Sequence, residues 1–124
     1  MDVKKIDSVT VRVKDAKRAA AFYKDVLGFP EIWSMQEGKM RGYGIGDNSA
    51  TLNVREEPSR ESEIVLHVES VVDARKALEA KKVPFDGPTF EIPEIGKAAN
   101  FRDPDGNRFM LLDYSIEHAR EAAG

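Results

Sequence analysis

At 124 residues the chain is long enough to bury one real core and too short for two domains with separate cores. Its 41% hydrophobic and 33% charged residues, with a net charge of −3, are the profile of a soluble globular protein, and no tract is basic enough to track a phosphate backbone, so nucleic acid is excluded as a partner. The absence of cysteine removes disulfides, thiolate metal sites and cysteine nucleophiles together, leaving any metal chemistry to His, Asp or Glu.

Residues Ile6 to Val13 alternate, with Val9, Val11 and Val13 on one side and Ser8, Thr10 and Arg12 on the other, the period of a strand covered on one face. From Ala16 to Leu27 the period becomes helical: Ala19, Ala20, Phe22, Tyr23, Val26 and Leu27 recur at packing intervals, and Gly28 stands where a left-handed residue would stop the helix. Strands are expected over Glu31 to Gln36, Met40 to Ile45 and Ala50 to Arg55, parted by the turn groups Glu37-Gly38 and Gly46-Asp47-Asn48. The polar stretch Glu56 to Ser62, with Pro58 inside it, reads as a linker.

The pattern then begins again. Ile64, Leu66 and Val68 alternate with Glu63, Val65 and His67; Val71 to Lys82 has helical period; and strands are expected around Phe85 to Ile92, Ala98 to Arg102 and Arg108 to Asp113. At an offset of 55 residues Val9, Val11 and Val13 fall on Ile64, Leu66 and Val68, and Ala19 falls on Ala74. Each half is βαβββ, module 1 over residues 1–56 and module 2 over 62–114. A short helix over 115–123 remains, with Ser115 a candidate N-cap. The first nine residues carry no apolar signal-peptide core, and no run of about 18 apolar residues occurs, so a cytoplasmic protein with no membrane partner is expected.

Two segments then resemble the vicinal-oxygen-chelate superfamily, the glyoxalase, bleomycin resistance protein and extradiol dioxygenase group. Ile6 to Asp15 followed by Ala21-Phe22-Tyr23-Lys24-Asp25-Val26-Leu27-Gly28-Phe29 is similar to its opening strand and helix end, and Phe101-Arg102-Asp103-Pro104-Asp105-Gly106-Asn107 to its closing hairpin. The resemblance implies a single α+β domain over residues 1–124, two βαβββ modules whose mixed sheets curve into a cup with helices outside, plus the short C-terminal helix. It also implies a divalent ion held in the cup by His, Gln or Glu from the first and last strands of each module, stabilising an anion formed as a substrate bond breaks.

Those positions are largely lost here. Ser8 stands where a His is usual, Met110 where a Glu follows the Asp-Pro-Asp-Gly-Asn turn, and Ala50 to Arg55 offers neither carboxylate nor imidazole. Glu63 alone has suitable chemistry, and one ligand does not make a catalytic site, which ordinarily takes three. His67 lies four residues from Glu63, a span of roughly 13 Å along a strand, too far to share an ion with it easily. No metal and no cofactor are therefore expected.

Alternation gives the cup a lining that includes Ser8, Thr10, Arg12, Glu63, His67, Arg108 and Met110, with Trp33 as an aromatic wall, a mixture suited to a small molecule. An internal Arg12–Glu63 or Arg108–Glu63 ion pair that fills the space is the structural alternative. The expected function is metal-free binding of an aromatic or amphipathic compound, similar to the bleomycin resistance branch, by a homodimer. The alternatives are a lyase, isomerase or dioxygenase-type enzyme using Glu63 as metal ligand or general base, and an interaction module without a site.

Overall fold

The computed structural model describes residues 1–47, 49–58 and 61–123. The chain divides into two compact units, one of residues 7–64 and one of residues 1–6 with 65 onward. The division falls inside strands β1 (Val3–Arg12) and β5 (Glu63–Val68), not at the polar linker, of which Ser59 and Arg60 lie outside the described residues.

In the 7–64 unit, β1 is followed by helix α1 (Ala16–Ala20), which runs on as a π-helix over Ala21–Val26, and then by β2 (Glu31–Met35), β3 (Met40–Ile45) and β4 (Ala50–Arg55). The strand order is β2-β3-β4-β1, with β1 parallel to β4 and the other pairs antiparallel. Asp15 starts α1 by accepting hydrogen bonds from the N–H groups of Lys17 and Arg18. Gly28 takes a φ of 76°, the left-handed stop expected of it. The π-helix is the departure from expectation. Its i→i−5 bond from Leu27 N to Phe22 O widens the turn and breaks the 3.6-residue spacing of the apolar face. Tyr23 still packs on Tyr43, with ring centroids 5.8 Å apart, while Phe22, Val26 and Leu27 are exposed. Strand β2 also stops one residue early, because Gln36 and Glu37 take positive φ in a 3₁₀ turn.

In the second unit, β5 is followed by α2 (Val71–Ala80), β6 (Phe85–Ile92), β7 (Gly96–Arg102), β8 (Arg108–Leu112) and α3 (Ser115–Ala123), with strand order β5-β8-β7-β6. Val68, Val71, Ala74, Ala99 and Leu111 form its main core, joined by Leu66, Leu78, Phe85 and Phe101, so the α2 side of β5 and β8 is the one that alternation selected. Each buried valine or leucine contributes about 1.5–3 kcal/mol. The expected hairpin turn is built as its residues suggest. Asp103 accepts from the backbone N–H of Asp105 and of Asn107 and from the Asn107 amide, and Gly106 takes a φ of 89°. The Asn107 amide leads the interactions that lower the Asp103 pKa. Ser115 is not the N-cap expected: it is the first helical residue of α3, and its hydroxyl donates to Asp113 at 2.6 Å.

Both units are βαβββ, and the fold class is α+β with a C-terminal helix. No helix among the described residues is long and apolar enough to cross a membrane.

Candidate functional site

Strand register sorts the side chains of the 7–64 unit onto two faces. Paired residues on neighbouring strands point the same way. One face therefore carries three rows: Ser8, Thr51 and Gly44; Thr10, Asn53, Gly42 and Trp33; and Arg12, Arg55, Met40 and Met35. The opposite face carries Val9, Leu52, Tyr43 and Glu31, then Val11, Val54, Arg41 and Ser34, and meets the helix through Tyr23 and Tyr43. A register shift between Glu31 and Trp33 makes this possible, because the extra residue Ile32 turns Trp33 to the face opposite Glu31. The structure thus brings Ser8, Thr10, Arg12 and Trp33 onto one face, as a site containing them requires.

Gly42 explains how the indole lies. A Cβ placed there would be 2.0 Å from Trp33 Nε1, so only a glycine lets the ring rest directly on β3. Ser8 and Thr10, on the same face, are buried. Asn53 Oδ1 and Arg55 Nε are buried too and have no hydrogen-bond partner among the described residues.

Arg12 anchors the charged row. Its side chain is 5% exposed, Nη1 lies 3.1 Å from Glu57 Oε2 and Nη2 lies 3.8 Å from Glu63 Oε1. Nε donates to the Glu61 carbonyl at 2.9 Å. Arg55 Nη2 reaches the same Glu57 at 3.8 Å and lies 3.8 Å from Met40 Sδ. The Arg12–Glu63 pair foreseen as the structural alternative is present, so an anionic ligand at Arg12 would have to displace a carboxylate. On the helix-facing side, burial raises the Tyr43 pKa and Glu31 adds to that, with Arg41 opposing. Arg41 itself is fixed by Glu31 at 3.1 Å and the Gly38 carbonyl at 2.8 Å.

The remaining candidates belong to the second unit. Met110 sits in an apolar cluster with Val65, Ala98, Leu112, Ile92, Ile95 and Tyr114. His67 meets the Tyr114 ring edge-on at 4.8 Å, and Tyr114 also lies 6.1 Å from His118. Arg108 pairs in register with Arg102, on the face that carries Met110 and Asn100. Much of this face is filled by its own apolar side chains, with Tyr114 at the start of α3 among them.

Sequence reasoning missed Asn53, Arg55, Gly42 and Glu57. Asn53 and Arg55 are poor metal ligands and so carry no signal for a metal site, although alternation within β4 puts them on one side. The contact between Gly42 and Trp33 depends on a bulge with no local signature.

The donors present do not fit a catalytic divalent ion. Ser8 is a buried hydroxyl, Glu63 is engaged by Arg12, Met110 is packed in an apolar cluster, and Asn53 is neutral. Among the described residues no three His, Asp or Glu side chains gather.

Comparison with known proteins places this geometry. None of the curated proteins compared with the sequence matches it. The structure is similar to methylmalonyl-CoA epimerase from Mycobacterium tuberculosis, with TM-score 0.75 and 15% identity over 95% of this chain and 93% of that one. It is similar to a hypothetical protein from Bacillus halodurans C-125, with TM-score 0.73 and 13% identity over 88% and 93%. Catechol 2,3-dioxygenase matches with TM-score 0.72 and 11% identity over 92% of this chain but 42% of that larger one. At these identities the likeness is one of fold. The family model of the Glyoxalase/Bleomycin resistance protein/Dioxygenase superfamily matches residues 5–111, and the chain belongs to that superfamily.

Proposed function

We propose that this protein binds a small aromatic or amphipathic compound without a metal, on the face of the 7–64 unit that carries Trp33. The observation that carries the reading is the Trp33–Gly42 contact, which lays an indole on β3 in the same cross-strand row as Asn53 and the buried Thr10. Aromatic surface flanked by a few fixed polar groups is the usual composition of a small-molecule site. The donor set described above supports the metal-free part. We place it in the cytoplasm, a reading that the cysteine-free sequence fits.

An enzyme reading draws on the epimerase and the dioxygenase among similar folds, with Glu63 as general base. The 3.8 Å contact with Arg12 weighs against it, since a base must be open to the proton it removes. Elemental analysis of the purified protein combined with a thermal-shift screen of aromatic compounds tests the proposal. Metal-free protein with compounds that raise Tm is the expected result. A near-stoichiometric divalent metal that depends on Glu63 would overturn it.

A further inference from the structure

Asn53 Oδ1 and Arg55 Nε are side-chain atoms of one strand, two residues apart on one face, both buried and both without a hydrogen-bond partner among the described residues. Folded proteins rarely leave such atoms unsatisfied, and where they do the exception asks for an explanation. One atom is an acceptor and the other carries an N–H donor. Their Cα atoms are about 6.6 Å apart by strand geometry, close enough for both side chains to reach one small molecule. In the same row as Asn53 lies Gly42, with the Trp33 indole resting on it. Trp33 is carried by β2, the outer strand of this unit, next to a bulge. A bulge next to a sheet edge is where a side chain is re-aimed and the ladder is locally disrupted.

We propose that Asn53 and Arg55 are the polar recognition pair of the site and that Trp33 is its displaceable aromatic cover. The ligand class follows from the two atoms. It is a planar aromatic compound with an N–H or O–H donor and a carbonyl-type acceptor on one edge, as in a lactam. The donor meets Asn53 Oδ1, the acceptor receives the Arg55 Nε–H, and the ring stacks on the indole once that has swung off Gly42. The inference rests on the small-molecule reading above and goes further in naming the atoms and the ligand edge. It leaves Arg12 with its carboxylates and uses no charge on the ligand.

Carbostyril, an aromatic lactam, and its N-methyl derivative test the idea, because methylation removes the donor and leaves the ring and carbonyl. Titration calorimetry on the full chain is expected to show carbostyril binding about tenfold more tightly than the derivative, the ratio expected for one hydrogen bond to a buried group. Asn53→Leu should erase that difference, and Arg55→Lys should weaken both compounds. The chain has one tryptophan, so the single indole N–H resonance should shift as carbostyril saturates the protein. Equal affinity of the two compounds for the parent protein, or a difference that survives in Asn53→Leu, overturns the assignment. The parent comparison needs no variant to fold. Failure of carbostyril to bind also overturns it, whereas the broader small-molecule reading falls only if the thermal-shift screen is blank as well.

Discussion

The carboxylate of Asp113 accepts the backbone N–H of Val71 at 2.9 Å, joining the residue after the last strand of the second unit to the first residue of its helix α2. The 7–64 unit repeats the device: Glu56, just after β4, accepts the N–H of Ala16 at 3.0 Å. The backbone N–H groups of these carboxylate residues also match, Asp113 N donating to Lys97 O and Glu56 N to Lys39 O. The internal repeat thus extends to its hydrogen bonds, where the sequence identity between the halves has faded.

Asp113 does more than Glu56, since it also accepts from Lys97 N and from the Ser115 hydroxyl and N–H. Burial alone would raise its pKa; the hydrogen bonds outweigh that and hold it below the ordinary aspartate value of 3.8. A depressed carboxylate contributes stability that is present above the unfolded value and is lost as pH falls through the folded one. Urea unfolding should therefore show Asp113→Ala losing on the order of 3 kcal/mol at neutral pH, with the gap to the parent closing as pH falls below about 4. A gap independent of pH would contradict this.

Gly96 makes that arrangement sterically possible, since a Cβ there would stand 2.0 Å from the Asp113 carbonyl oxygen. Backbone does not yield as a flexible side chain does. Gly96→Ala should cost about 3 kcal/mol by overpacking in chemical denaturation. In Gly42→Ala the obstructing group is the Trp33 side chain, which can move, so the loss should be smaller. That variant should instead show a red-shifted tryptophan emission while circular dichroism stays unchanged.

The Arg12–Glu63 pair supports a separate test, because both side chains are nearly buried. Glu63→Gln removes one of the carboxylates facing Arg12, and a loss on the order of 3 kcal/mol is expected for a well-buried pair. The double variant Arg12→Met/Glu63→Gln should recover part of it in a double-mutant cycle. Strict additivity would mean that the two groups are not coupled.

A homodimer remains our proposal for the assembly. Phe22, Val26 and Leu27 are 51%, 70% and 45% exposed around the π-helix, more apolar side chain than one short segment usually leaves to water. Light scattering of the parent at micromolar concentration should report a dimer, and Val26→Lys a monomer. A monomeric parent would end this proposal.

Alternation in the sequence placed Ser8, Thr10 and Arg12 on one face, and Leu66, Val68 and Leu111 on the side of α2, because inward and outward residues of a half-covered strand differ in polarity over a few positions. It missed what non-local pairing decides. The bulge at Ile32, which chooses the face of Trp33, depends on how β2 meets β3. Asp113 reaches a helix start 42 residues earlier, a relation with no local pattern. Asn53 and Arg55 are readable as sharing a face, but only the buried atoms Asn53 Oδ1 and Arg55 Nε, without a hydrogen-bond partner among the described residues, mark them out.

That burial makes a last prediction about stability. A buried amide oxygen without a partner costs about 1–3 kcal/mol relative to its hydrated state, and an apolar group of similar shape avoids the cost. Leucine is close to asparagine in size and branching, so Asn53→Leu should raise the unfolding free energy by about 1 kcal/mol. For a domain of this length such a gain lifts Tm by several degrees, about 3–6 °C. A residue kept at a stability cost is what a recognition group looks like, and the same variant is expected to lose discrimination between carbostyril and its N-methyl derivative. Calorimetric unfolding of the parent and the variant in parallel decides the matter. An Asn53→Leu protein that melts lower than the parent would show that the amide stabilises the fold, and Asn53 would then have no strain for a ligand to relieve.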